Sequence, residues 1–443
     1  MKKMVFTLVI SSLLIMFAGE GTLPAQQDTA WTLEKCINYA LEQNIQVRKS
    51  VLSNESATLY AEQAKAQRFP SLSANVNQNF NWSKSTASGE SGLHGSNGTN
   101  YSINSGVTLF NYSRINNLIK QAELDIQSGI YTLETTKESI SLSILNAFLQ
   151  VLYAEEQVKN SNKQIESTQG QLFLAGERLA LKGISQADYA QVKSQLASEK
   201  LTLANAESQL AIAKVNLMQL MELPVTDNFE IAQANPDENI NQNRVPDVKT
   251  VYETALSIKP QIKNAAVNKE NAALDESIAK AGYYPVLSAS AGIGSSYSSS
   301  ATDDYFGQVN DGISPSVGFS LAIPIYQKKQ VKTSVAVSKI NYENADLNEI
   351  DTKNQLRKNI EQACQDVTSA QIEYEASLEK FNATNESSLL SDEKFTQGLI
   401  NSVDYLVQKT NLIVAESQLL QSKYNLIFSY KIMDFYMGIP FNL

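Results

Sequence analysis

The chain has 443 residues, with 46 acidic against 36 basic side chains, a net charge of −10 and 43% hydrophobic residues. Such an acidic balance gives no electrostatic footprint for nucleic acid or anionic lipid head groups, which excludes both as partners. Charged residues make up 19% of the chain against roughly 25% in soluble domains, and the deficit is concentrated in four segments described below.

The chain opens with Lys2 and Lys3, an apolar run from Met4 to Ala18 and small residues between Gly19 and Ala25. This is the pattern of a secretory signal peptide over residues 1–25. The run is shorter than the ~20 residues of a membrane-spanning helix. No cysteine follows it until Cys36, so no lipid anchor is expected. Cys36 and Cys364 occupy non-corresponding positions and read as two separate buried thiols.

A first repeat is expected over residues 26–224. Thr32 to Ala66 reads as a helix, with Thr32 as N-cap and Pro70 beyond its end. Residues 71–82 then alternate, Leu72, Ala74, Val76, Phe80 and Trp82 against Ser71, Ser73, Asn75, Asn77, Asn79 and Asn81, which is the period of a strand. A Gly/Ser/Asn-rich loop holding the one histidine, His94, leads to a second alternating strand over 101–111.

A helical hairpin is expected over 114–223. Its first arm, Arg114 to Leu181, has no proline and keeps a period of seven: Ile130, Lys137, Ile144, Val151, Val158, Ile165, Leu172 and Leu179 in one row. Leu133, Ile140, Ala147, Ala154, Ser161, Thr168 and Ala175 form the other row. Such a period holds one seam against a neighbouring helix throughout. At ~1.5 Å per residue the arm is roughly 100 Å long, too long for a compact globule.

Residues 225–247, rich in Asn, Asp and Pro, read as a joint, after which everything recurs over 248–443. A shift of 215 lays Ala40-Leu41 on Ala255-Leu256 and Pro70 on Pro285; beyond the strands a shift of 216 lays Ile144, Val151 and Ser161 on Ile360, Val367 and Ser377, and Asp188-Tyr189 on Asp404-Tyr405. A duplication that keeps the heptad register defines the architecture. The second repeat supplies strands over 286–298 and 312–326 and a helical hairpin over 328–438.

All four strand segments lack charge, and aromatic residues cluster near their ends: Tyr101, Tyr112, Tyr283, Tyr284, Tyr305, Phe306 and Tyr326. Each is about the 9–11 residues of a tilted transmembrane strand, with apolar and polar faces alternating. A soluble sheet with one wet face also alternates, but such a face usually carries Lys, Glu or Asp. Four strands cannot close a barrel, and an open edge in lipid leaves backbone groups unpaired. Several chains must share it, and three copies give about twelve strands.

The chain resembles the TolC-like outer-membrane efflux family. The resemblance rests on Trp31-Thr32-Leu33 with Ala40-Leu41 and Asn44, Arg68-Phe69-Pro70-Ser71-Leu72, Tyr284-Pro285, Ile323-Pro324-Ile325-Tyr326, and the turns Lys182-Gly183-Ile184 and Gln397-Gly398-Leu399-Ile400. The first half departs from the pattern with Thr108-Leu109-Phe110 in place of the second half's proline motif. The resemblance implies a homotrimer, mostly α-helical with transmembrane β: a shared β-barrel in the outer membrane continuous with a long periplasmic α-helical barrel. It further implies a periplasmic adaptor docked end-on and, through it, an inner-membrane transporter, in efflux or type I secretion.

No phosphate loop, catalytic constellation or His/Cys cluster with metal-ligand spacing is present, so no enzyme activity, cofactor or metal site is expected. On the resemblance, Asp404, six residues after Gly398, matches a carboxylate that lines the periplasmic constriction. Symmetry copies of it form a negative ring favouring cations. Where family members can carry a second carboxylate this chain has Val407. Asp404 and Asp188 are the candidate periplasmic gate residues, and capping of the helices that follow the turns is the alternative reading for both. Arg178, Gly183, Ile184, Lys394, Gly398 and Leu399 are the expected adaptor-docking tip, and plain helix turns are the simpler reading. The rival class is a periplasmic coiled-coil adaptor or structural envelope protein, which calls for charged soluble β-domains and an inner-membrane helix or lipid anchor.

Overall fold

A computed structural model describes residues 30–85, 92–224, 229–232 and 247–441. The expected leader over 1–25 and most of the joint over 225–247 lie outside the described residues. The first repeat comprises α1 (Leu33–Gln43), α2 (Ile45–Ala66), β1 (Ser71–Ser85), β2 (Gly92–Phe110), α3 (Arg114–Ala180) and α4 (Gln186–Leu220). The second comprises α5 (Val248–Ile258), α6 (Pro260–Lys280), β3 (Val286–Ser298), α7 (Tyr305–Asp311), β4 (Ser314–Ala322), α8 (Gln330–Thr396) and α9 (Ser402–Met437).

The helix expected from Thr32 to Ala66 breaks at Asn44, whose ψ of 131° leaves the helical region. The Asn44 side chain accepts from Gln46 N at 2.8 Å and donates to Leu220 O at 2.9 Å, capping α2 while tying it to the end of α4. In the second repeat Lys259 breaks the chain at the corresponding place with ψ 126°. There the cause is Pro260, which excludes the helical region for its predecessor.

The four strands form one antiparallel sheet in the order β1-β2-β3-β4. Leu72, Ala74, Val76, Phe80 and Trp82 share a face with Ile103 and Tyr101 of β2, with Leu287, Ala289, Ala291 and Ile293 of β3, and with Pro315, Val317, Phe319 and Leu321 of β4. The opposite face consists of Ser, Asn and Gly, with His94 at its outer end and Thr108, Val286 and Ala322 at its foot. The first hairpin is longer than expected, since Ser83, Lys84 and Ser85 extend β1 and β2 begins at Gly92. His94 is therefore a strand residue paired with Ser83, not a loop residue. Poor strand formers hold that ladder because Gly95, opposite Trp82, lets the indole lie across the strand; a Cβ there would come within 3.1 Å of Trp82 Nε1. β4 is shorter than the expected 312–326: Gly312 caps α7, and Pro324, with no N–H to donate, lies past its end.

α3 and α8 each have 67 residues, or roughly 100 Å of helix. Of the α3 rows, Ile144, Ala147, Val151, Ala154, Ser161, Ile165, Thr168 and Ala175 are buried. α4 packs against the distal part of α3, and α2 and α6 flank the part nearer the sheet. Phe148, Leu217, Met221 and Cys36 anchor a central core that Trp31 joins. Trp31 forms a parallel bridge with Ile231. Cys36 and Cys364 are buried and free.

Each hairpin turn ends its first arm in a left-handed residue. Gly183 N donates to Arg178 O at 2.8 Å, and Leu399 N donates to Lys394 O at 2.8 Å, the closing bond of a Schellman cap. The left-handed residues are Lys182 (φ 58°) and Gly398 (φ 77°), so Gly398 corresponds to Lys182, and Gly183 to Leu399. Glu222 (φ 57°) and Gly438 (φ 74°) repeat this substitution at the other helix ends. A side chain in the left-handed region costs about 1 kcal/mol. Lys182→Gly and Glu222→Gly should each raise the melting temperature of the detergent-solubilised protein, by about 0.5–1 kcal/mol of stability. Gly438→Ala should lower it, because its Cβ would meet Ile258 Cδ1 at 2.8 Å.

Candidate functional site at the hairpin tips

The ends of the hairpins α3–α4 and α8–α9 lie side by side, farthest along the long helices from the sheet, and three sets of side-chain bonds join them. The first belongs to Arg178, in the last turn of α3. Its Nη1 donates to Phe395 O at 2.8 Å and its Nη2 to Thr396 O, and the guanidinium lies 6.0 Å from the Phe395 ring centre. A cation on terminal carbonyls matches the negative end of the α8 dipole. Arg178 is thus bound within the chain rather than held out as a free cation. Lys394 is exposed beside it.

The second set is at the opposite helix ends. Ser185 caps α4 by accepting from Asp188 N at 3.1 Å, and Asp188 Oδ2 accepts from Ser185 N at 3.2 Å, a capping box. The other oxygen, Oδ1, accepts from Ser402 Oγ at 2.5 Å, at the start of α9. Hydrogen bonds from Ser185 and then Ser402 hold the Asp188 carboxyl below its ordinary 3.8. A depressed carboxyl stabilises the fold above its unfolded value, and that contribution is lost only as pH falls through the folded value. The tie is therefore intact at neutral pH.

Asp404 occupies the same position in α9 without the crossing bond. Its N–H donates to Asn401 Oδ1 at 2.9 Å and its Oδ2 accepts from Asn401 Nδ2 at 2.9 Å. The carboxylate is exposed, as is Val407 one turn on. Asp188 completes a capping box, whereas the Asp404 carboxylate meets only the side-chain amide of the cap residue Asn401; only Asp188 also bonds to the other hairpin.

The third set lies about two turns deeper, where all four helices meet. Lys409 of α9 donates to Thr168 Oγ1 and to Gln171 Oε1 at 3.4 Å, and stands 3.8 Å from Glu199 Oε1 of α4. Gln171 Nε2 donates to Asp392 of α8 at 3.0 Å. Tyr405 is 2% exposed and stacks on Phe395 at 4.6 Å. Burial lowers the Lys409 ammonium from its ordinary value, opposed by the charge of Glu199. Burial, with the charge of Asp392, raises the Tyr405 phenol.

Glu199 is 4% exposed and Lys409 is buried, and no pattern of charge in the sequence separates either from the solvated residues of the same helices; Lys193, the repeat counterpart of Lys409, is exposed. A polar Thr168 in an apolar heptad row was the available signal. Among the described residues no group of His, Cys, Asp and Glu is arranged to hold a metal.

Breaking a buried pair from one side leaves a charge uncompensated, at about 3–5 kcal/mol, whereas replacing both members is often neutral. Glu199→Leu alone should strongly lower the melting temperature, and Glu199→Leu with Lys409→Met should restore most of it.

The tip Gly183, Gly398 and Leu399 are exposed, Leu399 at 68%, while Ile184 is half-buried. A Cβ on Gly398 would meet nothing within 4 Å, and one on Gly183 would come no nearer than 3.5 Å to Arg178 O. Steric room at both glycines is outward.

Comparison with known proteins agrees with this architecture. The family described as outer membrane efflux protein matches residues 36–222 and 251–436, one stretch in each repeat. Toxin and drug export protein A of Aggregatibacter actinomycetemcomitans is 20% identical over 408 residues, 89% of this chain and 83% of that protein. The pyoverdine export outer membrane protein OpmQ of Pseudomonas aeruginosa is 26% identical over 171 residues, 38% of this chain and 35% of that protein. An uncharacterised Haemophilus influenzae protein is 23% identical over 253 residues, 56% of this chain, so the chain spans 52% of that relative's length. The fold matches CusC, with TM-score 0.76 and 14% identity over 91% of this chain and 92% of that one. It also matches the Campylobacter jejuni CmeC outer membrane channel, with TM-score 0.75 and 14% identity over 92% of this chain and 85% of that one. The chain belongs to the outer membrane efflux protein family.

Proposed function

We propose that three copies of this chain form an outer-membrane channel that passively conducts substrates expelled by an energised partner. The observation that carries the reading is one four-stranded sheet, apolar on one face and Ser/Asn/Gly on the other, at the end of 67-residue helices. Its two edge strands need partners in lipid, and three copies give about twelve strands. The polar face then lines a nearly uncharged water-filled lumen. The apolar face meets outer-membrane lipid, with Tyr112 stacked on Tyr284 at 3.4 Å by its periplasmic rim.

The helices extend into the periplasm, and their tips meet a periplasmic adaptor that connects to an inner-membrane transporter. Gly183, Gly398, Leu399, Ile184 and Lys394 form the docking edge. Arg178 shapes it from behind by holding α8 to α3.

Symmetry copies of Asp404 form the negative ring of the periplasmic constriction. The bonds of Arg178, Ser402–Asp188 and Lys409 hold the two hairpins together and so oppose its widening. In planar bilayers the purified protein should conduct with a preference for cations, and Asp404→Ala should reduce that preference or raise single-channel conductance. Unchanged conductance and selectivity would remove Asp404 from the constriction, and absence of any conductance would remove the channel itself. Ser402→Ala, which deletes the hydroxyl that meets Asp188 and Gln191 of the other hairpin, should raise the fraction of time spent in the most conductive state.

Docking is tested separately. Gly183 is outside the left-handed region, and an added Cβ would make only ordinary contact with Arg178 at 3.5 Å, so Gly183→Leu should leave assembly intact while lowering export. Full export by that variant would remove Gly183 from the docking edge.

A further inference from the structure

The two repeats build the outer part of their apolar face from different elements. The shift of 215 lays Leu72 on Leu287, Ala74 on Ala289, Phe80 on Ser295 and Trp82 on Tyr297, all on that face of the sheet. From Leu72 to Trp82, and from Leu287 to Tyr297, a strand climbs ten residues, about 25 Å of height at ~3.3 Å per residue and a tilt of ~40°. The apolar band of an outer-membrane barrel is likewise about 25 Å tall. In the first repeat Phe80 and Trp82 carry the band to its outer limit, stacked with ring centres 6.4 Å apart and exposed by 58% and 69%. β3 stops short of it. Its apolar run ends at Ile293, about 15 Å up, and the next residue on that face is Ser295.

The element that lies over Ser295 is α7. Ser295 Oγ donates to Val309 O at 2.6 Å, a carbonyl in the last turn of the helix that has no partner within it. A Cβ on Gly312, which ends α7, would come within 3.1 Å of the same hydroxyl. Gln308 Oε1 accepts from Ser298 N at 2.8 Å at the top of β3. Tyr305 packs on Tyr297 with ring centres 5.0 Å apart, and its hydroxyl meets that of Tyr101 at 2.5 Å. Because Ser295, Tyr297 and Tyr101 all stand on the apolar face, α7 lies against that side of the sheet and leaves the Ser/Asn/Gly side clear. A serine hydroxyl facing hydrocarbon needs a partner, and here it has one under a cover of rings. The outward surface of α7 carries Phe306, 78% exposed, beside Tyr305 at 40%.

We infer that α7 is an interfacial helix seated in the outer leaflet of the outer membrane, completing on the second hairpin the apolar band that Phe80 and Trp82 complete on the first. The partner of its exposed face is lipid at the boundary of hydrocarbon and head groups, where amphipathic aromatic rings concentrate. The connection from β3 to β4 is thereby drawn outward, away from the mouth of the channel. This inference rests on the barrel proposed above, whose apolar face meets lipid.

The test adds single tryptophans to the full chain in a Trp82→Phe background, where Trp31, packed against the helical core, gives a constant signal. The protein is reconstituted into phosphatidylcholine vesicles brominated either near the head groups or near the chain ends. Phe306→Trp should add fluorescence that is lost more to the shallow bromines than to the deep ones, and that aqueous iodide leaves largely intact. Val317→Trp, opposite Ala291 near the middle of the band, should lose most to the deep bromines. If iodide quenches the Phe306→Trp signal and neither lipid does, while Val317→Trp responds to the lipids, α7 stands in water and the inference is wrong although the barrel stands. If Val317→Trp responds to neither lipid, the sheet is not in the bilayer and the reading beneath the inference fails. Should Phe306→Trp not migrate as a trimer when unheated, Phe306→Cys carrying a nitroxide reads the same depth. In lipid the label is more accessible to oxygen than to a water-soluble nickel chelate, and the reverse order overturns the inference.

Discussion

Two strand edges govern this molecule. β1 and β4 each turn one row of backbone N–H and C=O groups away from the sheet, and in hydrocarbon each unpaired group costs several kcal/mol. The sheet cannot satisfy them alone, and four twisted strands are too few to curl into contact. The chain is thus complete only as part of a ring, and every strand must present the same face to the same side. That requirement explains the largely Ser/Asn/Gly face and the scarcity of charge, confined to Lys84 near the outer end of β1, more directly than any local preference.

The helical half meets a related problem. Most of the stability of a helix in a folded protein comes from packing of one face rather than from propensity, and here each long helix is covered in stages. α2 and α6 flank α3 near the sheet, and α4 takes over toward the tip. The central core around Phe148, Leu217 and Met221 sits where these coverings change over, with Asn44 and its bond to Leu220 O fastening the change. Polar side-chain bonds join the helices both near the sheet, as between Gln121 and Asp275 and between Asn271 and Asp125, and at the tips, where Arg178, Asp188 and Lys409 tie the two hairpins together.

The fold was legible because its signals are long-range and periodic. The heptad rows of α3, the period-two strands and the repeat at 215–216 residues are properties of pattern, and pattern survives individual misfits such as Lys137. Signals of a single residue were less readable. Asn44 breaks a helix through a side chain that finds both a cap and the carbonyl of Leu220, 176 positions away. Residues 92–100 read as loop by composition and became strand because β1 offered a ladder. At the tips the repeats diverge: Lys193 and Lys409 correspond in sequence, yet one is exposed and the other buried against Glu199. Both turns carry a glycine, yet the left-handed residue of the first is Lys182 and that of the second is Gly398.

Everything above depends on chains completing one another's sheet. The most direct measurement is the mass of the protein extracted from outer membranes in mild detergent, by light scattering with the detergent contribution subtracted. The account predicts a particle of three chains that falls to one chain on heating in SDS. A single chain in the unheated extract, stable and folded, would contradict it.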